Sequence, residues 1–134
     1  MEIKLITTEL LDDLSLQASE NARLRMNLNF HESLNDNVQK LLNAMEPGTH
    51  LPIHRHRHTA ETYIVMRGSV KLHIYNNRAE LDKTLEINPA KAVYGVDIPA
   101  GQWHTLEVLE PGTVIFEIKE GPYSPLTAED ILEK

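Results

Sequence analysis

Hydrophobic and polar positions alternate strictly along residues 23–31, which is the period of a half-buried β-strand. The polar members of this stretch share one face: Arg23, Arg25, Asn27, Asn29 and His31. Residues 8–18 instead place leucines at the spacing of an amphipathic helix. The apolar spacing after Asn35, up to Pro47-Gly48, predicts a second helix. Residues 1–6 suit a short strand and residues 127–133 a helical turn on the surface.

After residue 48 the pattern becomes almost wholly that of β-structure. Short runs of β-forming residues are separated by glycine, proline and asparagine breaks at a spacing of roughly ten residues. The predicted strands are 49–55, 61–67, 69–75, 82–87, 92–98, 103–109 and 113–119. Short strands at this regular spacing indicate a β-sandwich or a β-barrel.

Length and charge narrow the class of protein. A chain of 134 residues is long enough for one domain with its own core. The net charge of −7 argues against a general nucleic-acid binder, which needs a basic surface. The absence of cysteine leaves nitrogen and oxygen as the metal ligands. No apolar run is long enough for a membrane span, and the N-terminus lacks the pattern of a signal peptide, so we expect a cytoplasmic protein.

The densest chemistry lies in a histidine-rich segment between residues 48 and 68. In an extended chain His54, His56 and His58 share one face, because alternate side chains point the same way. A hairpin-like return of the chain would place the carboxylate of Glu61 beside these rings. His104 begins a later strand, directly after a Pro/Gly turn. We interpret this combination as a metal site.

The spacings resemble the two motifs of the cupin superfamily. The pattern Gly-x5-His-x-His-x4-Glu-x6-Gly is filled by Gly48, His54, His56, Glu61 and Gly68. The shorter pattern Pro-x-Gly-x-x-His is filled by Pro99, Gly101 and His104. The chain departs from the second motif at Val93 and Val108, where the family usually has Gly and Asn. Segments 23–31, 38–48 and 116–123 narrow the resemblance to WbuC-type cupins, over residues 8 to 126.

This resemblance implies a mainly β fold, the cupin double-stranded β-helix or jelly-roll barrel, with short N-terminal helices. It implies one domain over 1–134, with an N-terminal extension at 1–47, the barrel at 48–120 and a tail at 121–134. It assigns one divalent transition metal (iron, manganese, nickel, cobalt or zinc) to four ligands: His54, His56, Glu61 and His104. A six-coordinate ion would keep positions open for substrate, whereas a tetrahedral zinc would be closed and structural.

Other polar residues are candidates for substrate binding. The row on 23–31 is either a solvent face or subunit contact, or an edge where Arg25 binds anions and Asn27 binds sugar hydroxyls. Tyr63 has the parity of Glu61 and is expected to line the pocket. Gln102 lies either near the ion or in a turn that faces water. Glu117 faces the cavity or the surface.

Under the resemblance, the chain is expected to be a metal-dependent enzyme for a small polar substrate, a sugar or nucleotide sugar of surface-polysaccharide biosynthesis. An isomerase or epimerase and an iron(II) oxygenase both remain open. The alternatives are a non-catalytic module that binds a sugar or an anion, and a purely structural metal. A homodimer is also expected, because many small cupins pair through their sheets. Nucleophilic catalysis has little support, since the chain has no cysteine and no Gly-x-Ser-x-Gly motif.

Overall fold

One α-helix and ten β-strands make up the computed structural model, which describes residues 2–132. In chain order they are α1 (Thr8–Glu20), β1 (Arg25–Asn29), β2 (Val38–Met45), β3 (Ile53–His54), β4 (Glu61–Arg67), β5 (Val70–Tyr75), β6 (Leu81–Ile87), β7 (Gly95–Ile98), β8 (Trp103–Val108), β9 (Thr113–Glu120) and β10 (Ile131–Leu132). Short 3-10 turns lie at Pro89–Lys91 and Ala128–Asp130.

The strands form two antiparallel five-stranded sheets. The first has the order β1-β2-β9-β4-β7 and the second the order β10-β3-β8-β5-β6, so strands distant in the sequence lie side by side. Apolar residues of both sheets form one core, with Met45, Val65 and Ile115 from the first sheet and Leu72 and Leu106 from the second. This closed two-sheet arrangement is a jelly-roll barrel.

The helix α1 covers the outer face of the first sheet. It begins at the N-cap Thr7, whose hydroxyl accepts a hydrogen bond from the backbone N–H of Leu10 at 3.1 Å. Its buried apolar face packs against outward residues of β2 and β9. Members of this second core are Leu11, Leu14, Ala18, Leu42, Ala44 and Val114. With its outer face covered, the first sheet keeps its inner face for the barrel interior.

The second predicted helix is wrong, because residues 38–45 form strand β2. The outward side chains of this strand pack on α1 and the inward ones face the barrel, so apolar residues occur on both faces. A strand buried on both sides has a run of apolar residues that periodicity alone cannot distinguish from a helix. Strands β1 and β2 lie within segment 1–47 and belong to the first sheet.

Most other predicted elements are confirmed. Strand β1 lies within 23–31, and β4 has the predicted bounds of 61–67. Of the strand predicted at 49–55, only the two residues of β3 form a strand. Residues 2–6, where a short strand was also predicted, form none. The predicted C-terminal turn is a 3-10 turn followed by β10; residue 133 lies outside the described residues, as does Met1 of the predicted first strand. None of the helices within 2–132 is long and apolar enough to cross a membrane.

Candidate metal centre and cavity

The predicted ligands come from three neighbouring segments. Strands β3 and β8 pair so that His54 lies directly opposite His104, while Glu61 is the first residue of β4. His56 lies in the loop after β3, and its carbonyl accepts a hydrogen bond from the N–H of Gly101 at 2.8 Å. Gly101 has a φ of +83°, a left-handed conformation that favours glycine. The turn of the second motif is thus attached to the histidine loop of the first.

Four side chains meet at this point inside the barrel. Potential ligand atoms of His54, Glu61 and His104 all lie within 4.8 Å of one another. Oε1 of Glu61 lies 3.2 Å from Nε2 of His104 and 3.1 Å from Nε2 of His56. Glu61 is only 5 % exposed and His104 only 1 %. The structure therefore brings together all four residues that the sequence proposed as ligands.

Backbone carbonyls fix the orientation of two of these rings. Nδ1 of His54 lies 3.0 Å from the carbonyl oxygen of Pro52, and Nδ1 of His104 lies 2.8 Å from that of Gln102. A carbonyl can only accept, so each Nδ1 donates its hydrogen and each Nε2 is directed inward. Burial, and then His104, lowers the pKa of His54 to about 4, so this ring is neutral at pH 7 and its Nε2 presents a lone pair.

The charge of Glu61 fits the same arrangement. Burial acts to raise the pKa of Glu61, but the contacts with His104 and His56 outweigh it and hold this pKa well below the usual range. Oε1 of Glu61 is buried and has no hydrogen-bond donor in the described part of the chain. A carboxylate oxygen and an imidazole lone pair repel each other unless a positive charge, a proton or a metal ion, lies between them. The donor set of nitrogen and oxygen suits a first-row divalent ion.

Tyr63 holds the carboxylate from the other side. Its hydroxyl donates to Oε2 of Glu61 at 3.2 Å and lies 3.4 Å from Nε2 of His104. Burial, and then Glu61, raises the pKa of Tyr63 well above its ordinary value, so the phenol stays a neutral donor. Tyr63 also lines the cavity beside the cluster, as its parity predicts.

A cavity of about 570 Å³ extends from the histidine cluster along the inner face of the first sheet. Its wall includes all the polar residues of segment 23–31: Arg23, Arg25, Asn27, Asn29 and His31. The guanidinium of Arg25 donates to the carbonyl of His50 at 2.9 Å, which places it close to the loop that carries His54. The polar row and the candidate ligands thus belong to one cavity.

A carboxyl–amide pair lies between them on the same wall. Glu117 is on β9, opposite Tyr63 on β4, and its Oε1 accepts a hydrogen bond from Nδ2 of Asn43 at 3.3 Å. Burial, and then Glu61, raises the pKa of Glu117 to about 7. Asn43 is 8 % exposed, and its Oδ1 has no hydrogen-bond partner among the described residues. The amide oxygen is therefore available to a donor in the cavity.

Comparison with protein families gives one match. Residues 6–87 match the model described as "Domain of unknown function (DUF6016)". The chain belongs to this family. Its name assigns no activity, and no curated protein matches the chain. The narrower resemblance of this DUF6016 member to WbuC-type cupins stays a prediction.

Solved structures show the fold. KdgF from Halomonas sp. is 13 % identical with a TM-score of 0.57, and the match covers 75 % of this chain and 82 % of KdgF. The capsular polysaccharide assembling protein CapF from Staphylococcus aureus is 22 % identical, with a TM-score of 0.58 and coverage of 74 % and 27 %. Oxalate decarboxylase from Bacillus subtilis, a protein with Mn(II) centres, is 19 % identical, with a TM-score of 0.57 and coverage of 75 % and 26 %. The DUF6016 chain thus spans about a quarter of the latter two, and its cupin fold is confirmed.

Gln102, a candidate for substrate binding, has other contacts in this DUF6016 protein. The amide of Gln102 donates to the carbonyls of Tyr75 and Trp103, both at 3.0 Å, and Gln102 is not among the residues that line the cavity. Its backbone carbonyl orients His104 instead. His58, which has the parity of the ligands, is exposed.

The sequence missed part of the cavity wall. Asn43 and Gln39 were hidden by the helix predicted over β2, and Lys119 carried no signal beyond its alternation in β9. From the sequence, Glu117 faces either the cavity or the surface. The structure places it on the cavity wall. All four could have been assigned to the cavity wall from the alternation of side chains along a strand, once the strand itself was correctly identified.

Proposed function

We propose that this protein is a metal-dependent cupin that acts on a small polar molecule, with His54, His56, Glu61 and His104 as the metal ligands. One observation carries the proposal: ligand atoms of His54, Glu61 and His104 converge within 4.8 Å, and Nε2 of His56 lies 3.1 Å from the same carboxylate. Nε2 of His56 and Nε2 of His104 lie 3.1 and 3.2 Å from Oε1 of Glu61, so a positive charge is needed between these atoms. A divalent cation would satisfy all the converging acceptors at once.

The candidate ions are iron, manganese, nickel, cobalt and zinc, all of which accept imidazole and carboxylate ligands. The Mn(II) centres of Bacillus subtilis oxalate decarboxylase make manganese the first to test. When bound, such an ion supplies Lewis acidity toward substrate oxygens. Among the residues around it, His104 and His56 keep Glu61 ionised, and the Tyr63 hydroxyl orients the carboxylate. The barrel core excludes bulk water from one side of the site.

A sugar or nucleotide sugar is our proposed substrate. The cavity of about 570 Å³ has the size of an ordinary ligand site and is lined with amides, which suit hydroxyl groups. The capsular polysaccharide assembly named for CapF supports a role in surface-polysaccharide metabolism. Isomerisation or epimerisation is the proposed reaction class, and the alternative is oxygenation at iron(II). We also propose a homodimer and a cytoplasmic location.

Ligand stabilisation followed by an assay for turnover tests this function. Metal-loaded, untagged protein is heated with a panel of sugars and nucleotide sugars, and the melting temperature is recorded. A ligand at a hundredfold excess over its Kd adds roughly 2.7 kcal/mol of stability. We expect at least one compound to raise Tm and then to be converted. Stabilisation without conversion would favour the non-catalytic binding module, and no stabilisation by any sugar would contradict the proposed substrate class.

A further inference from the structure

Unpaired cations line the cavity although the whole chain is acidic. The chain has 20 Asp and Glu against 13 Lys and Arg. Even so, Arg23, Arg25 and Lys119 all face the cavity, and none of them makes an ion pair with any carboxylate in residues 2–132. Most arginines elsewhere do pair, for example Arg67 with Asp12. Three cations without a carboxylate partner in one cavity form a site that suits an external anion.

The two arginines lie at one end of this cavity. Nη1 of Arg25 donates to the carbonyl of His50 at 2.9 Å and to the hydroxyl of Thr49 at 3.3 Å. These bonds hold the guanidinium in place and leave its other N–H groups available. Burial, and then the neighbouring Arg23, lowers the pKa of Arg25. The like charge is unfavourable, and a bound anion would relieve it.

Lys119 supplies a third positive charge on the opposite side of the cluster. Strands β4 and β9 pair so that Lys119 lies opposite Glu61, and its ammonium is 5.9 Å from the ring of Tyr123. Of the two carboxyl groups on the wall, Glu61 belongs to the histidine cluster and Glu117 is partly protonated near pH 7. Neither therefore cancels the positive charge of the open part of the cavity.

Two buried polar atoms on the same wall have no hydrogen-bond partner within residues 2–132. They are Oδ1 of Asn43 and Nε2 of His31. A buried polar group without a hydrogen bond costs stability, so its partner is expected from a ligand or water in the cavity. Oδ1 of Asn43 can only accept, and a hydroxyl group is the donor that a carbohydrate offers.

We propose that the ligand of this cavity is an anionic carbohydrate, a sugar acid or a sugar phosphate, whose charged group binds at Arg25 and Arg23. Its hydroxyl groups meet Asn43 and Glu117 on the way to the histidine cluster. The contact between this ligand and the metal at the histidine cluster rests on the proposed function. The arginine contact itself needs no metal, so the two can fail separately.

Calorimetric titration with matched probes tests the charge preference. The probes are glucose, glucuronate and glucose 1-phosphate, titrated into metal-loaded protein at constant ionic strength. We expect the better of the two anions to bind at least about tenfold more tightly than glucose, as for a charge-assisted hydrogen bond. Equal affinity for the three probes, or no binding of either anion, would overturn the inference.

Variants locate the anion. Arg25→Gln should weaken the better anion by about tenfold and leave glucose unaffected, because the neutral amide keeps the size but loses the charge. Arg78→Gln is the matched control, an exposed arginine in the β5–β6 turn outside the cavity. Anion binding that survives Arg25→Gln unchanged would refute the assignment. If that variant does not fold, Arg23→Gln takes its place, with a smaller loss expected and the same refuting result.

Repeating the titration after chelation separates the two proposals. Anion binding that depends on Arg25 but not on metal supports this inference even if the metal assignment fails. Metal-loaded protein that binds glucose and both anions equally leaves the metal site intact and overturns this inference alone.

Discussion

At the scale of single residues, the site combines a local motif with a wall from distant strands, where Glu117 lies opposite Tyr63 and accepts a hydrogen bond from Asn43. His54, His56 and Glu61 lie within one short segment, and strand parity with one reversal places them together. Their partner His104 could be found because its Pro/Gly turn marks the start of a strand. Asn43 could not be found, because its apolar neighbours fit a helix equally well.

Glu117 gives a pH prediction at this scale. Its pKa in the fold is about 7, against 4.5 for an ordinary glutamate, so the folded state binds the proton more tightly than the unfolded chain. The stability that comes from this proton is fully present below pH 4.5 and is lost as the pH rises through about 7. Glu117→Gln removes the effect. We expect the variant to gain roughly 1–3 kcal/mol over the wild type between pH 5 and 8.

Urea unfolding at several pH values measures this difference. Glu110→Gln is the control, because Glu110 is exposed and should show no such trend. A Glu117→Gln curve that runs parallel to the wild-type curve across this range would show that the carboxyl titrates normally.

At the scale of elements, the loop that carries His56 and His58 is supported by a strap from the C-terminal segment, residues 127–132. Asp130 lies just before β10, and its Oδ1 accepts from Arg55 at 3.1 Å and from Arg57 at 3.0 Å. These arginines alternate with the histidines of the loop, and the guanidinium of Arg55 also lies 4.4 Å from the centre of the Trp103 ring. Sequence periodicity gave the Trp103 strand but not the strap, because a two-residue strand carries no period.

Asp130→Asn tests whether the strap positions the loop. The loss of charge removes the common partner of both arginines, so we expect Tm to fall by a few degrees and the bound metal to leave faster. Glu129→Gln is the matched control. Among the described residues, the side chain of Glu129 pairs with Arg57 but not with Arg55, and it is 78 % exposed. Differential scanning calorimetry and the rate of metal transfer to a chelator give both readouts. An unchanged rate of metal release in Asp130→Asn would show that the strap does not position the metal ligands.

At the scale of the whole molecule, the period of the strands and their breaks was enough to predict a barrel of short strands. The order of the strands was not predictable from that period, because β2 pairs with β9 across most of the chain. The net charge of −7 was equally uninformative about the cavity, where the unpaired cations gather. Charge distribution depends on which strand faces meet, and that is a property of the topology.

The central claim is that four side chains from separate segments hold one divalent ion. The most direct measurement is the metal content of untagged protein by inductively coupled plasma mass spectrometry, after growth and purification without chelators. We predict about one transition-metal ion per wild-type chain and a decrease of roughly tenfold or more in His104→Ala. His73→Ala, which changes a histidine on the other face of the second sheet, should keep the wild-type content. Wild-type protein without metal, or His104→Ala with full occupancy, would contradict the claim.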